Sequence, residues 1–192
     1  MRHDKHQQYS YRYLEVTEPH ENRLLTTLTR AKIKLGFCDS EQDNRLTELI
    51  TALSAQITAL LTLTETDDGA IPTLAVQTYR ETFQDVRSAH GLTLSRFPIV
   101  EITSLSVDGE VLRRITGGEE DPEYNQYRFL GRHGRVELLD QEGRVQRWFH
   151  RNVVVEYKAG WVRPGDETQA MEEAPAIVRT LPEEIEEALL YT

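Results

Sequence analysis

The stretch Leu92–Leu112, LTLSRFPIVEITSLSVDGEVL, does most to limit what this chain can become. It is dense in β-branched and apolar residues, and Pro98 falls near its start, where a strand tolerates a missing backbone N–H. Asp108-Gly109 follows the run and precedes Val111 and Leu112. Asp-Gly is a strong two-residue hairpin signal, because a type I′ turn needs positive φ at both central positions. The stretch therefore predicts a strand entering a tight hairpin. It also divides a helical N-terminal part from a β-rich second part.

On the helical side, Glu21–Leu35 places Leu24, Leu28, Ala31 and Leu35 on one helical face. Lys32 and Lys34 favour the last turn and Gly36 suits the position just past it. A second helix opens near Asp39 or Ser40 and carries Leu46, Leu49, Ile50, Leu53, Ile57, Leu60 and Leu61 at helical spacing. Thr47, Glu48, Thr51, Ser54 and Thr58 form the opposite face, left to solvent or to a neighbouring subunit. Thr64–Pro72 is a loop turning at Asp67-Asp68-Gly69.

Leu74–Val86 fits helix and strand alike, but its Thr, Tyr, Val and Phe content favours a strand with Tyr79 and Phe83 packed inside. Tyr127–Leu130, Arg135–Leu139 and Asn152–Lys158 read as further strands, and Leu181-Pro182-Glu183-Glu184 opens a last helix. The domain plan is an N-terminal arm over 1–23, a helical bundle part over 24–73, an inserted β-rich module over 74–161, an acidic loop over 162–180 and a C-terminal helix over 181–192 that completes or extends the bundle. The fold class expected is α+β: a small α-helical bundle with an inserted β-sheet or hairpin module. Tyr9, Tyr11 and Tyr13 alternate in the arm, which is either a flexible terminus or a short strand adding to a neighbour's sheet.

A chain of 192 residues with 39% hydrophobic and 28% charged residues suits a folded protein with a modest core. A net charge of −10 argues against gripping nucleic-acid phosphates through a broad basic face. Cys38 is the only cysteine, so no internal disulfide forms; it is expected to be a small buried or half-buried side chain. No apolar run spans a bilayer, and Met1–Ser10 lacks a signal-peptide core. His3 and His6 lack further ligands at metal spacing, so neither metal nor cofactor is expected. His133 and His150 read as turn or interface residues, and adjacent acids such as Glu119-Glu120 and Glu183-Glu184 as solvated pairs. With no nucleotide loop and no nucleophile motif in the chain, an interaction protein is favoured over an enzyme.

Four motifs in order carry a resemblance. The first is Leu35-Gly36-Phe37, then Asp39–Asp43, then Leu49-Ile50-Thr51-Ala52-Leu53-Ser54-Ala55-Gln56-Ile57. The others are the proline-led Arg96–Leu105 run with Asp108-Gly109, then Val153–Trp161 ending in Tyr-Lys-Ala-Gly-Trp, then Leu181–Ala188. Together they resemble the head–tail connector (adaptor or head-completion) proteins of tailed bacteriophages. The resemblance implies a structural virion protein, made in the host cytoplasm and sited at the head–tail interface. It would form a homo-oligomeric ring, typically a dodecamer, under the portal protein. It would extend the DNA channel without specific DNA binding and without a membrane, and offer a platform for a stopper or tail-completion protein. It also implies the helical bundle with an inserted β module, and no catalysis.

In that reading Leu181, Ile185 and Leu189 are apolar anchors of a docking helix against the helical body or the portal, with the Glu-rich face left wet. Glu119, Glu120 and Asp121, in the polar loop Thr116–Glu123, would face a partner or the channel. The acidic C-terminal stretch and the basic N-terminal one would set register between like subunits. The alternative is a cytoplasmic protein-binding module acting through a β-sheet edge.

Overall fold

The computed structural model describes residues 9–20, 23–60, 66–70, 73–87, 89–115, 126–140, 142–149, 151–162 and 181–190. His3, His6, His150, Leu61, the trio Glu119, Glu120 and Asp121, and the acidic loop from residue 163 to 180 lie outside the described residues.

Strand is the commonest regular structure among the described residues. Elements run β1 (Tyr11–Glu18), α1 (Leu28–Leu35), α2 (Asp43–Leu60), β2 (Gln77–Val86), β3 (Leu92–Thr93), β4 (Ile99–Val107), β5 (Glu110–Val111) and β6 (Arg113–Arg114). There follow β7 (Gln126–Leu130), a 3₁₀ turn at Gly131–His133, β8 (Arg135–Leu139), β9 (Val145–Gln146), β10 (Arg151–Ala159) and α3 (Glu183–Leu190). One sheet has the order β1-β2-β10-β4-β5 and the other β3-β8-β7-β6, with β9 beside β8. A helical bundle carrying an inserted hairpin module is therefore not what forms: the molecule is mostly β, with two sheets and three helices among the described residues. The expectation undercounted β for two reasons. β1 lies in the supposed arm, and four strands are only two residues long, too short for any alternation to show.

Leu92–Leu112 does not run as a single strand. Leu92 and Thr93 pair with β8 in the second sheet, the chain crosses over through the cis Phe97–Pro98 peptide, and β4 begins at Ile99 in the first. The hairpin forms where Asp108-Gly109 places it: φ is 50° at Asp108 and 90° at Gly109, and Val107 faces Glu110. Strict alternation along β2 sends Gln77, Tyr79, Glu81 and Phe83 inward, where Tyr79 and Phe83 are almost fully buried. They join Leu105, Trp148, Val153, Val155 and Tyr157 in the main core between the sheets.

A second, smaller core lies under the helices and unites Leu25, Ala31, Ile50, Leu74, Leu181 and Leu189. α1 starts at Leu28 rather than Glu21, because the Thr27 hydroxyl accepts the Arg30 N–H at 3.2 Å and caps it there. Gly36, at φ 75°, ends it in a Schellman pair: its own N–H reaches the Ile33 carbonyl at 3.3 Å, and Phe37 N–H reaches that of Lys32 at 3.0 Å. The two cores meet where β10 ends. Gly160 has φ 132°, and a Cβ there would stand 2.3 Å from the Ala75 carbonyl oxygen. Trp161 N–H then bonds the Leu74 carbonyl at 2.7 Å, so the Tyr-Lys-Ala-Gly-Trp run is the junction between sheet and helices.

Candidate interaction surfaces

α2 is the longest helix among the described residues and was expected to bury its leucine stripe. The buried side is instead Leu46, Ile50, Ser54 and Thr58, with Leu53 and Ile57 half-buried beside it. Ser54 belongs inside because its hydroxyl accepts the buried Leu25 N–H at 3.1 Å, and a larger side chain would hold the Leu25 segment away. The helix is thus rotated from the sequence expectation, which leaves Leu49 at 47% and Leu60 at 78% exposure. From Leu49 to Leu60 it carries no charged residue. The hydroxyls of Thr47 and Thr51 bond back to the Asp43 and Thr47 carbonyls, each at 2.8 Å. Their hydrogen-bonding capacity is thereby partly used within the helix, making that flank less polar than its composition suggests. On α1, Ile33 is 75% exposed, and Phe37 just past it is also exposed. Cys38 is exposed as well, not half-buried, because it follows the Gly36 cap in the connection between α1 and α2.

Leu181 and Leu189 are buried in the helical core, and Ile185 packs against it half-buried. Their apolar surface is covered by this chain's own helices. The Glu-rich face is not wholly wet either, because Glu186 is fully buried. Its Oε1 accepts from the Thr26 hydroxyl and from Arg30 Nε, each at 2.6 Å, and Lys34 Nζ lies 3.4 Å from its Oε2. Burial pushes this carboxyl up, but Arg30, Thr26 and Lys34 outweigh it and hold it below the ordinary glutamate value. Lys34 also bonds Glu183 at 3.0 Å, and Lys32 bonds Asp43 at 2.6 Å. Part of the charge asymmetry between the chain ends, expected to set register between subunits, is thus satisfied inside one chain. Helical spacing held the signal for Glu186, which follows Pro182 by four residues and precedes Leu189 by three.

A second buried carboxylate, Glu81, sits in the main core, fully buried. Arg12 Nε donates to its Oε1, as does the Ser95 hydroxyl at 2.8 Å, while Ser95 N–H (3.0 Å) and Tyr157 OH (2.8 Å) donate to Oε2. Tyr157 in turn accepts the Arg96 N–H at 3.3 Å. Burial, then the Glu81 charge, pushes the Tyr157 hydroxyl far above its ordinary value. With both Glu81 and Tyr157 sealed from solvent, no substrate reaches the pair; the network fastens β1, β2, β10 and the crossover together. Inward parity between Tyr79 and Phe83 was the signal for it in the sequence.

The expected tyrosine-rich arm is β1, and it pairs with β2 of its own chain, Tyr13 facing Thr82 and Glu15 facing Arg80. On its far side Leu14 N–H donates to Asp67 Oδ2 at 2.6 Å and Val16 N–H to Asp68 Oδ2 at 2.9 Å. His133 lies in the 3₁₀ turn before β8. Among the described residues, no group of three or more His, Cys, Asp or Glu is placed to hold a metal ion, and no helix is long and apolar enough to cross a membrane. No family model matches the chain, and no curated protein matches it.

Proposed function

We propose that this chain is a head–tail connector of a tailed bacteriophage, a ring-forming structural protein seated under the portal and lining the DNA channel. The motif order of the sequence supports the reading; the helical-bundle fold expected with it has been corrected, so the fold lends it nothing. The observation that carries it is the outer face of α2, with Leu49 and Leu60 exposed and no charge between them in a chain of net charge −10. Charge-depleted apolar surface is what the centre of a protein interface requires. Like-charged copies meeting in a ring would repel least across such a face.

The test is to co-express the chain with the portal protein and image the particles by electron microscopy. Rings on the portal are expected from the wild type, and none from a Leu49→Glu/Leu60→Glu variant that keeps its thermal midpoint. Portals that stay bare with the wild-type chain would refute the reading. In the β-edge alternative a peptide would add to β1, and the two aspartate bonds stand against it.

A further inference from the structure

β1 ends the first sheet, and an edge strand offers unpaired N–H and C=O groups to any other strand. Its sequence from Tyr9 to Val16, Tyr-Ser-Tyr-Arg-Tyr-Leu-Glu-Val, is rich in the residue types that strands favour. Yet three successive outward main-chain groups are already taken. Leu14 and Val16 N–H donate to the side chains of Asp67 and Asp68, and the Leu14 carbonyl accepts the Asp67 N–H at 2.7 Å. The turn that delivers them is braced by its own bonds: Gly69 N–H to the Thr66 carbonyl at 2.9 Å, Ala70 N–H to Asp68 Oδ1 at 3.2 Å, and the Thr66 hydroxyl to the Ala70 carbonyl at 3.3 Å. The edge is closed by side-chain oxygens standing where the carbonyls of a neighbouring strand would stand.

We infer that β1 is a latent pairing surface for a second copy of this chain, held closed because the Asp67-Asp68 turn occupies its outward main-chain groups. The partner follows from symmetry. Two β1 edges brought together antiparallel about a two-fold would satisfy each other's freed groups, and they present identical Tyr-rich strands. With the turns in place, the same approach meets two aspartates from each copy and no free donor at Leu14 or Val16. Copies are thereby diverted from pairing through β1 toward other surfaces. This inference does not rest on the connector reading.

The test compares Asp67→Ala/Asp68→Ala with Asp67→Asn/Asp68→Asn in the full chain. An asparagine side-chain oxygen still accepts the strand N–H, whereas alanine leaves it open. The alanine variant is expected to self-associate about tenfold or more tightly than wild type by light scattering across a concentration series. Amide exchange at Leu14 and Val16 should quicken in its dilute monomer, and an excess of a Tyr9–Glu18 peptide should suppress the association. The asparagine variant should behave as wild type. An alanine variant that associates no more tightly than wild type overturns the inference, as does one whose association the peptide leaves intact. Equal association by the asparagine variant overturns it too, since occupancy would then not be the cause. Should the double alanine variant fail to fold, Asp68→Ala alone frees the Val16 N–H at an exposed position and is read by the same criteria.

Discussion

Glu186 shows how a single residue can decide whether the two ends of the chain stay together. Its carboxylate is buried while Arg30 and Lys34 are only partly so, which makes the consequences of substitution unequal. Glu186→Gln keeps an oxygen for Thr26 and Arg30, removes the buried charge and lets Lys34 turn to water, so it should cost on the order of 1 kcal/mol. Arg30→Met strands a buried charge, and its cost should move toward the roughly 3–5 kcal/mol of a broken buried pair, moderated by Lys34. Urea unfolding followed by far-UV circular dichroism should rank Arg30→Met as the more damaging; the reverse order would mean that the carboxyl is neutral in the folded protein. The lowered carboxyl of Glu186 also fixes a pH dependence. A group depressed on folding contributes stability above its unfolded value and loses it as pH falls through the folded one. The hold on α3 should therefore weaken in acid, and in Arg30→Met the loss should set in at higher pH, visible as faster amide exchange in Glu183–Leu190. The sequence offered the spacing of Glu186 but not its partners, because Thr26 and Arg30 stand about 160 residues away and only the folded chain brings them close.

Among the elements, α2 separates what periodicity can tell from what it cannot. Its existence, its length and the burial of Leu46 and Ile50 were legible, as were β2, β7, β8, β10 and the Asp108-Gly109 turn, whereas Ser54 and Thr58, expected on the solvent face, are buried. The rotation of α2 was not legible. The leucine stripe is wide enough to support two orientations, and the choice fell to Ser54, whose hydroxyl is needed under Leu25. Neighbouring positions now make opposite predictions. Ile50→Ala, at 3% exposure, should cost about 2–5 kcal/mol of stability. Leu49→Ala should stay within about 0.5 kcal/mol, while weakening whatever assembly the α2 face supports. Thermal melts of the two variants beside a sedimentation measurement would settle the orientation; a large stability loss in Leu49→Ala would restore the leucine-inward register. In the sequence β3 reads as one strand with β4, and β5 as the hairpin's return, but the two-residue strands β6 and β9 were invisible for the opposite reason. Their identity is conferred by a partner strand, with no pattern of their own.

For the whole molecule, two cores joined at Gly160 imply two degrees of stability. The larger core is made of long strands with many buried neighbours, while the smaller depends on three helices, two of them eight residues long, that are too short to persist alone. Taking away Leu181 and Leu189 uncovers Ile50 and Ala31 and leaves Arg30 and Thr26 without Glu186. Deleting Leu181–Thr192 should therefore loosen α1 and α2 rather than leave a fully folded chain that merely fails to dock. The protein carries its own reporters for this. Its two tryptophans divide between the cores: Trp148 is fully buried between the sheets, and Trp161 is half-buried against the helices. In single-tryptophan variants made by Trp148→Phe or Trp161→Phe, the deletion should shift Trp161 emission to longer wavelength and leave Trp148 emission as in the full chain. Acid should do the same at milder pH than is needed to expose Trp148, because it first releases Glu186. If both tryptophans respond together, at one midpoint and with equal amplitude, the two cores unfold as one unit and the junction at Gly160 transmits the loss of α3 into the sheets.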